Sequence, residues 1–283
     1  MFVSLKELLK DANKNNYAVL AVNCINVEMA QAVIRAAEQL KAPIIVNLLQ
    51  EHLQTHLAAK YLFSGIKQLA LDSQTKVAIC LDHGQDKKFV KQCIILGFSG
   101  VMIDASMFDL AENIKTTKEI MEFAKSFEVG IEAEVGCMGA VLDANYTAEQ
   151  MFTKPAEAIE FIKQTNVDCL AISYGSSHGA YPKGYVPQFD LGIVKEIKEK
   201  TNASLVLHGG SGAGEEVIKE SVRLGVNKIN VGSDFMKAQS EYVKSALMTT
   251  ENTDYPKILT QSLKEGSEVL KKYIKLTNSI NKI

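Results

Sequence analysis

Three histidines stand where apolar runs break into glycine. They are His83 in Ile79-Cys80-Leu81-Asp82-His83-Gly84, His208 in Leu205-Val206-Leu207-His208-Gly209-Gly210-Ser211-Gly212, and His178 in Gly175-Ser176-Ser177-His178-Gly179. A neutral imidazole offers one nitrogen to a divalent cation, and three protein ligands with coordination left open for substrate is the usual pattern of a catalytic centre. A single histidine after a strand is more often a hydrogen-bonded loop residue. Here, however, three of only five histidines precede glycine, a neighbour small enough to let a ligand approach the backbone. Their joint context points to one shared metal site.

The elements that would carry these residues alternate along the chain. Short apolar, β-branched runs cover residues 17–22, 43–48, 76–81, 100–103, 130–135, 169–174, 204–207 and 228–231, with helical patterns between them. Eight alternations of strand and helix predict a (β/α)8 TIM barrel with an N-terminal helix and a C-terminal helical extension over 255–274. The whole chain, 1–283, is expected to form a single barrel domain. Asp109 and Glu112 supply a capping box for a helix reaching about residue 127, and Asp190 and Thr153 precede two further helix starts. Asn23, Asp82, His83, Asp104, Glu134, His208 and Asn230 close their strands, and His178 follows the sixth. Barrel enzymes place their chemistry at this carboxyl face, so one topology gathers these groups into one cleft. The stretch 136–152 is long for a barrel connection and reads as a mobile functional loop.

Composition excludes several classes. A net charge of −2 with no long Lys/Arg block argues against nucleic acid as a partner. No stretch approaches membrane-spanning length, and the amino terminus carries charges where a signal peptide needs an apolar run. Five scattered cysteines without a Cys-x-x-Cys pair indicate neither a disulfide framework nor a thiolate zinc site, so a cytoplasmic setting is expected. His52 and His56 share a face at i,i+4 on a predicted helix. They read first as surface residues, although their place just after the second strand leaves one of them a route to the cleft.

Six motifs, in order and spacing over nearly the whole chain, carry a resemblance: Leu81-Asp82-His83-Gly84, Met102-Ile103-Asp104-Ala105-Ser106, Glu132-Ala133-Glu134-Val135-Gly136, Ser177-His178-Gly179, Leu207-His208-Gly209-Gly210-Ser211-Gly212 and Lys228-Ile229-Asn230-Val231. The sequence resembles the class II, metal-dependent ketose-bisphosphate aldolases, which include the fructose- and tagatose-bisphosphate enzymes of carbohydrate metabolism and glycolysis. That resemblance implies reversible cleavage of a ketose phosphate to dihydroxyacetone phosphate and an aldehyde. Breaking a carbon–carbon bond beside a ketone leaves an enediolate, whose charge a divalent cation can hold. By the resemblance His83, His178 and His208 hold zinc or another divalent cation, with Asp104 and Glu134 as supporting or alternative ligands. Asp82 is the proton shuttle, or in a humbler role orients His83. Asn230 hydrogen-bonds the enediolate and Asn23 meets the sugar hydroxyls. The phosphate would lie on N–H groups around Gly179, Gly209, Gly210 and Ser211, with Ser233 helping and a monovalent cation beside it. A homodimer or homotetramer is also implied.

Four departures bear on specificity. The loop reads Gly139-Ala140-Val141-Leu142-Asp143, without the family's usual glutamate, which leaves Asp143 as its substitute. Leu48-Leu49-Gln50-Glu51 replaces a serine at the second strand's end, and Gly232 takes a usually polar position. The arginine that often meets a distal phosphate is missing, since the chain's arginines are Arg35 and Arg223; Lys272, Lys275 and Lys282 are the remaining candidates. An altered acceptor aldehyde is therefore expected. The alternatives are a catalytically reduced metal- and sugar-phosphate-binding protein, favoured by the missing glutamate, and metal-assisted hydrolysis or isomerisation on the same barrel.

Overall fold

The computed structural model describes residues 1–136, 152–176, 187–249 and 254–283. Along the chain run α1 (Leu5–Lys14), β1 (Val19–Asn23), α2 (Val27–Gln39), β2 (Ile44–Leu49), α3 (Gln50–Thr55), α4 (Ala59–Asp72), β3 (Val77–Gly84), α5 (Lys87–Leu96), β4 (Gly100–Ile103), α6 (Leu110–Ala124), β5 (Gly130–Val135), α7 (Pro155–Thr165), β6 (Cys169–Ile172), α8 (Leu191–Thr201), β7 (Ser204–Leu207), α9 (Glu215–Arg223), β8 (Val226–Val231), α10 (Ser233–Thr249) and α11 (Tyr255–Leu276). The strands close in sequence order into a parallel barrel, with β8 pairing back onto β1. This is the (β/α)8 architecture that the alternating pattern predicts.

Alternation along each strand sorts the side chains into two layers. Leu20, Val22, Ile79, Leu81, Leu205 and Leu207 face outward and pack with the surrounding helices. Val19, Ala21, Ile45, Ala78, Cys80, Cys169, Ala171 and Val206 face inward and meet Leu5, Leu8, Leu9 and Ala12 of α1. Helix α1 therefore plugs the amino-terminal end of the barrel, each of its buried leucines contributing roughly 1.5–3 kcal/mol. It can seat there because β4 and β5 begin with glycine: a Cβ on Gly100 would come within 2.7 Å of Leu5, and one on Gly130 within 2.6 Å of Lys6 N.

Toward the opposite end the inward positions turn polar, through Asn23, Asn47, Asp82, Glu132, Glu134, His208, Lys228 and Asn230. The extension α11 packs beside the barrel on α10 and α2. Its buried face is Ile258, Ser262, Gly266, Leu270, Tyr273 and Ile274, which leaves Leu259 exposed. Asp109 and Asp190 cap α6 and α8, accepting from Glu112 N and Gly192 N. Thr153 does not cap α7, whose N-cap is Lys154. Its hydroxyl instead donates to Val135 O and accepts from Ser173 N, at 2.6 and 2.8 Å, stapling the ends of β5 and β6 together. Among the described residues no helix is long and apolar enough to cross a membrane, and Cys24, Cys80, Cys93 and Cys169 are buried free thiols.

Candidate active site

The carboxyl end of β3 sets the geometry. In a regular strand Asp82 and His83 would face opposite ways. The register against β4 slips between Leu81 and Gly84, and His83 adopts a left-handed backbone with φ of 47°. For a residue with a Cβ that conformation costs about 1–3 kcal/mol, a strain typical of functional sites. It brings both side chains to the mouth of the barrel, where their ligand-capable atoms lie within 4.8 Å of those of His208. Gly84 makes the kink possible, because a Cβ there would collide with Met102 O and Val90.

His83 and His208 face each other, Nε2 to Nδ1, at 3.0 Å. Each is held by a carboxylate on its other nitrogen: Asp104 Oδ2 lies 2.8 Å from His83 Nδ1, and Glu132 Oε1 lies 2.8 Å from His208 Nε2. Two nitrogens on a tetrahedral zinc, each about 2.0–2.1 Å from the ion, stand roughly 3.3 Å apart, so the pair has the spacing of two ligands on one cation. Carboxylates on the far nitrogens are what orients metal-binding imidazoles. Glu134 comes within the same 4.8 Å of His83 and Asp104. The donor set thus fits a divalent cation on His83 and His208, with Asp104 and Glu132 behind them.

Asp82 is fixed by two amides. Asn23 Nδ2 donates to Oδ2 at 2.6 Å, and Asn230 Nδ2 donates to Oδ1 at 3.2 Å. Burial would raise its pKa, but the charges of His83, His208 and Lys228 and the Asn23 hydrogen bond hold it down at about 2. Burial likewise works against a proton on His83, yet the hydrogen bond to Asp104 and the charges of Asp82 and Glu134 raise its pKa to about 10. In His208 burial prevails and the pKa falls, Glu132 offsetting it only in part.

Glu132 and Lys228 are what the sequence reading passed over. Glu132 is 1% exposed and Lys228 1% exposed, and Lys228 Nζ lies 2.6 Å from Glu132 Oε2. Two opposite charges within strand-like runs, Glu132 in 130–135 and Lys228 in 228–231, were the available signal. The buried network runs from Lys228 through Glu132 to His208, and so ends on a candidate ligand.

A cavity of about 200 Å³ opens over these groups. Gly209, Ser211, Asn230 and Ser233 border it, as do Asn23, Asp82, His83 and His208. Gly210 departs from its expected role: its N–H donates to Asn230 O at 3.0 Å, so its function is close approach of the β7 loop to β8. Ser211 Oγ accepts from Asp234 N at 3.2 Å, tying that loop to the start of α10. His52, Leu49, Gly232 and Met236 complete the rim, while His56 is exposed at the end of α3. His178, Ser177, Gly179 and Asp143 lie outside the described residues.

The family model for class II fructose-bisphosphate aldolase matches residues 3–282. The chain belongs to the class II fructose-bisphosphate aldolase family. Among solved structures, the YdjI aldolase from Escherichia coli K12 is 29% identical with a TM-score of 0.88, over 100% of this chain and 99% of that one. The fructose-bisphosphate aldolase from Campylobacter jejuni, 22% identical, shares the fold at a TM-score of 0.81 over 100% of this chain and 97% of its own. Divalent-metal chemistry is usual in this aldolase family, and the two ligand-capable clusters at the mouth accord with it.

Proposed function

We propose that the protein is a zinc-dependent aldolase that reversibly cleaves a ketose phosphate into dihydroxyacetone phosphate and an aldehyde. The observation that carries this reading is Asp82, gripped by Asn23 and Asn230 beside the facing His83–His208 pair. A divalent cation on His83, His208 and His178 would supply the positive charge that a ketone oxygen needs as it gains electrons.

The chain's own residues account for the remaining steps. Asp82, which the Asn23 and Asn230 amides and a neighbouring cation's charge would keep ionised, takes the proton of the hydroxyl on the carbon that becomes the aldehyde. The carbon–carbon bond breaks, its electron pair passes to the donor half, and a proton is returned to the donor carbon, a role we give to Asp143. Asn230, buried at the base of the cavity with its Oδ1 unpartnered among the described residues, accepts from a donor hydroxyl. Gly209, Ser211 and Ser233, with Gly179, hold the phosphate at the start of α10, where the helix end favours an anion.

The acceptor differs from a phosphorylated aldehyde. Arg35 and Arg223 are both exposed, Arg223 paired with Glu220 on α9. Lys272 borders a separate cavity behind Gly212, and Lys282 sits over the Tyr17 ring at the plugged end of the barrel. The test is deuterium exchange into dihydroxyacetone phosphate in heavy water, with zinc-loaded protein and a chelated control. Metal-dependent exchange is the expected result; its absence despite bound zinc and phosphate binding would favour a binding protein without turnover.

A further inference from the structure

The unpartnered polar atoms of the barrel mouth are not spread evenly. Metal-facing groups come from β3, β4, β5 and β7, and each imidazole among them is held by a carboxylate. On the adjoining arc formed by β8, β1 and β2, Asn230 Oδ1, both side-chain atoms of Asn47 and Nδ1 of His52 are buried without a hydrogen-bond partner among the described residues. Leaving such a group unsatisfied costs about 1–3 kcal/mol each. His52 is the one of these that stands above the strands, on α3, at the rim of the cavity.

Helix α3 holds this imidazole in place. Leu53 is buried on its inner face, and Gln50 Oε1 accepts from Asp86 N at 3.2 Å, which ties the β2 exit to the β3 exit beside Asp82. Leu49 and Met236 add apolar surface to the same cavity. Gly232 keeps the floor open, since a Cβ there would meet Asn23 Oδ1 at 3.0 Å. Among the described residues no lysine or arginine borders the cavity.

An imidazole and a carboxamide each offer both a donor and an acceptor, which matches hydroxyl groups. A carboxylate or phosphate would instead call for a cation. We infer that His52 is the specificity residue for the acceptor half of the substrate, hydrogen-bonding a hydroxyl of an uncharged polyhydroxy aldehyde across the β8–β1–β2 arc. This rests on the aldolase reading above and adds the chemical class of its second product. His52 acts on recognition and holds no reacting atom.

The experiment uses full-length, zinc-loaded protein and compares wild type with His52→Leu and His52→Gln. Two readouts are taken: deuterium exchange into dihydroxyacetone phosphate, and kcat/KM for its addition to glyceraldehyde, erythrose, propanal and glyceraldehyde 3-phosphate. Wild type should prefer the hydroxylated, uncharged aldehydes. In His52→Leu the ratio of glyceraldehyde to propanal kcat/KM should fall at least tenfold, and His52→Gln, which keeps a donor and an acceptor, should restore part of it. An unchanged ratio in both variants, or a wild type that prefers glyceraldehyde 3-phosphate or accepts no hydroxylated aldehyde, overturns the inference while exchange keeps the aldolase reading standing. No exchange in wild type overturns both. Should His52→Leu fail to fold, His52→Ala takes its place: an unchanged glyceraldehyde-to-propanal ratio in that variant overturns the inference.

Discussion

Replacing Lys228 by methionine isolates the buried charge network. Methionine keeps most of the lysine's aliphatic volume, so packing in the barrel is nearly preserved and the change is chiefly the loss of one cation. That cation lies 2.6 Å from Glu132 Oε2 in a region where both side chains are 2% exposed. Without it the carboxylate retains His208 Nε2, at 2.8 Å, and a weak thiol contact from Cys169 at 3.7 Å. Breaking one partner of such a buried pair costs about 3–5 kcal/mol. For a chain of this length that corresponds to a fall in Tm of roughly 6–10 °C, at about 2 °C per kcal/mol. Adding Glu132→Gln removes the stranded charge while keeping an acceptor for His208, so the double variant should regain more than half of the loss. Differential scanning calorimetry of metal-free protein, in chelator, gives the four corners of the cycle. A single-variant loss under about 1 kcal/mol, or a double variant no more stable than Lys228→Met, would refute the coupling.

Asp104→Asn removes the carboxylate that orients His83 and should weaken zinc binding by about 10–100-fold, read by competition against a chromophoric chelator; unchanged affinity would remove Asp104 from the centre. Gly210→Ala should destabilise by about 1–3 kcal/mol, because its Cβ would meet Ile229 and Asn230 O at 2.7 and 2.8 Å. Gly214→Ala, with nothing within 4 Å, should cost only the strain of a backbone at φ of 89° and ψ of 148° that glycine alone adopts readily, about 1–3 kcal/mol; thermal melts measure both. Lys198 is held at a pKa of about 8 by burial, below its ordinary 10.5. Between those values the unfolded chain binds the extra proton, so Lys198 adds stability as pH rises through that window and its cost is constant below it. Denaturation midpoints of wild type relative to Lys198→Met should therefore climb from pH 8 toward 10.5, and parallel curves would contradict the assignment.

The barrel was legible because a parallel strand covered on both faces reads as an unbroken apolar run, and residues 100–103, 130–135 and 204–207 carry the same bounds in sequence pattern and structure. The polar strand ends were legible for the same reason. Depth inside the barrel was not. Glu132 and Glu134 both point inward two residues apart, and only the stagger of the closed ring puts Glu132 against Lys228 and His208. Thr153 offered cap chemistry one residue too early, and its hydroxyl found strand ends closer than the helix. His52 and His56 read as surface residues on one helix face, but α3 ends at Thr55 with His56 exposed at its cap. His52 alone reaches the cavity rim, held there by buried Leu53 and the Gln50 hydrogen bond, which no local pattern encodes.

The amides that grip Asp82 lie 59 positions before it and 148 after it. Synthesis delivers the chain from its amino end, so a nascent chain displays Asp82 and His83 long before Asn230 exists. Until β8 arrives, β1 presents an unpaired edge, a template for association with other chains, and Ala18 N still awaits Thr277 O, its partner at 2.9 Å. Production of this protein should therefore be sensitive to what happens on and just after the ribosome. A product stalled before β7 would carry Asp82 and His83 but neither His208 nor Asn230, and so would hold none of the site in working geometry.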